Sequence, residues 1–108
     1  MIQQFKGGQS RPRMKLIELM QSINFGRIMG FKVLGGEPVL NPRPTIVRAH
    51  KLKGENGPRP ELSAADFLLK QEIVELFNFL DDLQEGEIDL IEIKHGLPFL
   101  IEVTEVPA

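Results

Sequence analysis

From Ser63 to Glu85 apolar residues recur at helical spacing over a longer run than anywhere else in the chain, so this segment constrains the fold most. At 100° per residue Leu69, Ile73, Leu76, Phe77, Leu80 and Leu83 gather on one face, with Glu72, Glu75, Asn78, Asp82 and Glu85 on another. Ser63 followed three residues later by Asp66 makes a capping box, and Gly86 stands where a left-handed C-terminal cap is needed. The spacing therefore predicts a helix from Ser63 to about Glu85. Phe67 and Val74 flank its apolar stripe on one side and Leu68 and Phe79 on the other, more apolar surface than one sheet face requires. Those four are the candidate residues for contact with another protein or a second copy.

The remaining patterns are mostly strand-like. Residues 1–12, with Gly7, Gly8, Ser10 and Pro12, lack periodicity and read as a flexible N-terminal arm ahead of a single domain over 13–108. Leu16, Leu19, Met20 and Ile23 then mark a short amphipathic helix from about Met14 to Asn24. Two strands follow around Gly35-Gly36, the second limited to an edge by Pro38, and a third spans Thr45 to Leu52. The Pro- and Gly-rich stretch 54–60 ends it. A final hairpin turns at His95-Gly96, with Leu97, Phe99, Ile101 and Val103 alternating toward the core. A two-residue turn there pairs Leu90 with Ile101 and Ile88 with Val103, and the consecutive Leu90-Ile91 demands a bulge or two covered faces. The fold class expected is α+β, a mostly antiparallel sheet of about five strands with helices on one side, in the order α-β-β-β-α-β-β.

Composition removes several chemistries. The 108 residues include no cysteine, which excludes disulfide frameworks, thiolate catalysis and cysteine-ligated metal centres. With 42% apolar and 26% charged residues the balance is that of one ordinary globular domain. No apolar run approaches the ~18 residues of a membrane span and no signal-like segment opens the chain, so a cytoplasmic protein is expected.

Charge is divided unevenly along the chain. Residues 1–60 hold 11 Lys or Arg against three Glu, a balance of +8, whereas residues 61–108 hold two Lys against 12 acids, a balance of −10. Arg43, Arg48, Lys51, Lys53 and Arg59 are the densest basic group, and Arg11 and Arg13 on the arm extend it. Together these seven would follow a phosphate backbone, since each neutralised phosphate releases counterions. The same cations also suit an edge strand that must resist aggregation, and aromatic rings for base stacking are few.

Catalytic patterns are sparse. Asp81 to Glu92 imitates a calcium loop at Asp81, Gly86, Ile88, Asp89 and Glu92, but Leu83 takes a ligand position and no exiting helix can form across Gly96-Leu97-Pro98. His50 and His95 lack partner patterns, and Ser10, Ser22 and Ser63 lack a nucleophile context. The sequence alone thus favours a small non-enzymatic interaction module that associates with another protein or with its own copy. Nucleic-acid binding is the alternative, and an enzyme or metal-binding protein comes third. No catalytic residue, metal, cofactor, membrane or small-molecule substrate is inferred.

Overall fold

A computed structural model describes residues 9–50, 52 and 70–104. Its elements are α1 (Arg11–Ile23), β1 (Gly26–Leu34), β2 (Glu37–Val39), β3 (Thr45–Arg48), α2 (Gln71–Leu83), β4 (Glu85–Lys94) and β5 (Leu97–Glu102). This is the α+β order the sequence predicts, with every strand pair antiparallel. The sheet runs β2-β1-β4-β5, and β3 continues the β2 edge by pairing with the first half of β1. Two residues of β1, Gly30 and Phe31, face five residues of the partner between the β2 and β3 ladders, so Leu40 to Pro44 loop outward. Pro38 and Pro44 are buried at the ends of that loop.

Both helices bury one stripe against the same sheet face. Leu16, Ile17, Met20 and Ile23 of α1 and Ile73, Leu76, Phe77 and Leu80 of α2 meet Ile28, Phe31 and Val33 of β1 and Ile88, Ile91 and Ile93 of β4. Ile46, Ile28, Ile91 and Ile101 form one cross-strand row through β3, β1, β4 and β5 beneath the helices. Each fully buried member of such a core stabilises the fold by roughly 1.5–3 kcal/mol relative to exposure.

Both turns take the positive-φ geometry that matches strand twist: Gly35 and Gly36 at +60° and +77°, His95 and Gly96 at +56° and +74°. The alternation breaks once on each central strand. Buried Ile28 and Phe31 lie three apart, opposite buried Ile88 and Ile91, also three apart, so both strands gain a residue together and their register is unchanged. Gly30, at φ +76°, occupies the step on β1. This settles the Leu90-Ile91 pair, with Ile91 inward and Leu90 outward.

Several sequence expectations need correction. Lys70 is extended and caps α2 without a side-chain bond, so the helix starts at Gln71 rather than Ser63, and the Ser63–Asp66 box lies outside the described residues. Gln84, not Gly86, takes the left-handed cap at φ +60°. Gly86 is instead the second residue of β4, where a Cβ would press on the Leu83 side chain. Helix α1 starts at Arg11, because the Ser10 hydroxyl caps the Arg13 amide and Pro12 tolerates the first turn. Strand β3 ends at Arg48 rather than Leu52. A bulge between Glu92 and Ile93 shifts the last hairpin, pairing Leu90 with Glu102 and Ile91 with Ile101. Phe99 is the extra residue and stands 62% exposed instead of in the core.

Candidate interaction surfaces

The pairing of β1 with β4 decides where the charges go. Strands from the basic part of the chain lie on one side of that seam and strands from the acidic part on the other. Helix α1 rests chiefly against β2, and α2 against β5. The opposite signs therefore remain as neighbouring regions. On the sheet face away from the helices, Arg27 and Lys32 of β1 stand directly opposite Glu92 and Glu87 of β4. Neither cation closes an ion pair with a described residue.

That outer face is apolar at its centre. Met29 pairs with Leu90, Leu100 pairs with Glu92, and Leu34 follows at the end of β1. Met29, Leu34 and Leu100 are 36%, 53% and 43% exposed, and among the described residues no element covers them. At the β5 edge the apolar surface continues into a shallow groove between α2 and β5, where Phe79 and Phe99 are exposed beside Glu72 and Glu75. Lys94 Nζ sits 4.0 Å from the Phe99 ring centre.

A second groove lies at the opposite edge, under α1 and beside the β2–β3 connection. It encloses about 620 Å³ and is floored by Leu19, Leu40 and Ile46 with prolines at its walls. Arg11, Lys15 and Arg43 rim it, and among the described residues no acid lines it.

The cations singled out in the sequence thus separate. Arg11 and Arg43 converge on this groove, together with Lys15, which the sequence reading passed over. Helical spacing of Arg11 and Lys15, four apart, was the available signal. Arg13 is committed elsewhere: its guanidinium bonds the Gly36 carbonyl at 2.9 Å, pairs with Asp81 and lies 4.9 Å from the Phe77 ring centre. Its Nε is 3.3 Å from Glu37 Oε1 as an ion pair without a hydrogen bond, and the same carboxylate oxygen accepts from the Ser10 hydroxyl. Arg48, the last residue of β3, donates to the Ser22 carbonyl. Lys51, Lys53 and Arg59 lie outside the described residues.

The predicted contact residues also divide. Val74 packs against the core, Phe79 is exposed, and Phe67 and Leu68 lie outside the described residues. The resemblance of Asp81–Glu92 to a calcium loop ends in the fold, since Glu85 to Lys94 is a strand and the Asp89 carboxylate accepts from Thr104. Among the described residues no three acids or histidines converge to hold a metal ion, and no helix is long and apolar enough to cross a membrane. The chain matches no protein-family model, no curated protein and no solved structure with which it was compared.

Proposed function

We propose that this protein is an interaction module that associates with a second copy of itself through the open face of its sheet. The observation that carries the reading is the pairing of opposite charges at equal height on β1 and β4. Arg27 faces Glu92, Met29 faces Leu90 and Lys32 faces Glu87 across one antiparallel ladder. A two-fold axis in the interface plane, parallel to these strands and midway between them, carries β1 of one copy over β4 of the other. Arg27 then meets the other copy's Glu92, Lys32 its Glu87, and Met29 its Leu90. One operation thus matches both charge pairs and the apolar centre, as an isologous contact requires. Natural sheet twist sets such faces about 30° from parallel.

The size of the face places the contact among interface classes. Nine residues of β1 at about 3.3 Å each and four strands at about 4.8 Å give roughly 570 Å² per copy in projection, at the low end for specific interfaces. A face of this size suits a weak, reversible dimer rather than an obligate one. Nucleic-acid binding has less support. Of the four candidate cations among the described residues, Arg11 and Arg43 converge, Arg13 is already bonded within the fold and Arg48 donates to the Ser22 carbonyl, and no described aromatic ring lines the groove.

Sedimentation velocity across about 10 to 500 μM tests the proposal. Wild-type protein is expected to dimerise reversibly, and Met29→Glu to remain monomeric. Lys32→Glu and Glu87→Lys should each weaken association about tenfold, and the double exchange should restore it. A wild-type monomer throughout that range, or a dimer indifferent to Met29→Glu, refutes the reading.

A further inference from the structure

We infer that the groove under α1 is a binding site for a free single-chain carboxylate amphiphile, of the fatty-acid class. Three observations converge on it. The floor is aliphatic, with Leu19, Leu40 and Ile46 supplying the surface an acyl chain needs and, among the described lining residues, no ring on which a base would stack. Arg11, Lys15 and Arg43 rim it with no acid among the described lining residues, and none forms an ion pair with a described residue. Its volume of about 620 Å³ falls within the range of small-molecule pockets.

A further observation concerns α1 itself. Its first turn holds no acid, although the helix dipole favours negative charge there. Arg11 and Lys15 are like charges four residues apart, an arrangement that destabilises an isolated helix. Arg13 is explained by its bonds to Gly36 and Asp81, whereas Arg11 opposes the dipole and the Arg11–Lys15 pair repels; Glu18 follows one turn beyond Lys15, yet neither cation closes an ion pair with a described residue that would give full compensation. An anion seated between them and Arg43 supplies it. The planar guanidinium groups fit the two oxygens of a carboxylate, so the headgroup would lie at the rim with the chain along the floor. These residues flank α1 on the helix-covered side of the sheet, so the site is independent of dimerisation through the open face.

The test is calorimetric titration of the full chain with dodecanoate, backed by amide chemical shifts. Saturable binding is expected, with shifts at Leu19, Leu40 and Ile46, and about fourfold loss for each methylene removed from the chain. Acetate and dodecyltrimethylammonium should not bind. Arg11→Glu/Arg43→Glu should weaken dodecanoate at least tenfold while leaving the circular dichroism spectrum unchanged; if that variant misfolds, Arg43→Gln, outside every helix and strand, gives the same reading with a smaller loss. The inference is overturned by absence of saturation at about 1 mM dodecanoate, by equal binding of the cationic amphiphile, or by shifts centred on Phe79 and Phe99 instead. It is also overturned if anionic phospholipid vesicles or a fluorescent oligothymidylate occupy the groove while dodecanoate does not.

Discussion

Replacing Arg13 by alanine removes a side chain that joins α1 to both the Gly36 turn and α2. Its bond to the Gly36 carbonyl at 2.9 Å is charge-assisted and only 14% of the side chain is exposed, which makes it worth about 1.5–3 kcal/mol. Asp81 is 55% exposed, so that ion pair adds no more than about 0.2–1 kcal/mol. Contact with the Phe77 ring at 4.9 Å adds about 0.5–1 kcal/mol. The three share one guanidinium and do not add in full, giving an expected loss of about 2–3 kcal/mol. The chain has neither Trp nor Tyr, so urea unfolding is followed by far-ultraviolet circular dichroism at concentrations too low for dimers. With an m-value near 1.5 kcal/mol/M the midpoint should fall by about 1.5 M. Arg13→Met keeps the stem against Phe77 and should recover part of the loss. A change below about 0.5 kcal/mol with cooperativity intact would refute a structural role and return Arg13 to the ligand-binding cations.

Other substitutions probe the backbone and the core. A Cβ at Gly26 would lie 2.1 Å from the Val47 carbonyl oxygen, so Gly26→Ala must displace β3 and should cost at least ~2 kcal/mol, read by the same denaturation. Gln21 is 4% exposed on α1 and its Oε1 has no hydrogen-bond partner; Gln21→Met keeps the volume, removes the buried acceptor and should raise stability by about 1 kcal/mol. A thermal midpoint that falls in Gln21→Met would show that the amide is satisfied in solution.

Sequence legibility followed the range of the interactions involved. Gly35-Gly36 and His95-Gly96 were readable as hairpin turns because the left-handed backbone they need is a property of a few adjacent residues. The apolar stripes of α1 and α2 were readable for the same reason, since 3.6-residue periodicity survives whatever the stripe packs against. The start of α2 was misread because a strong periodicity does not stop at Lys70, where the backbone turns extended. The register of β4 on β5 was missed because the bulge at Phe99 depends on how two strands meet.

The interaction surfaces belong to the tertiary structure almost entirely. Local chemistry set the elements, their order and the uneven charge along the chain. Only the β1–β4 pairing, made between segments about sixty residues apart, put cations beside carboxylates at equal height and left Met29 and Leu90 uncovered. Packing likewise sorted the arginines, drawing Arg13 onto Gly36 and Asp81 and leaving Arg11 beside Arg43 at a groove. A side chain's charge is fixed by its identity, but whether that charge is spent inside the molecule or offered outside it depends on neighbours that sequence distance conceals.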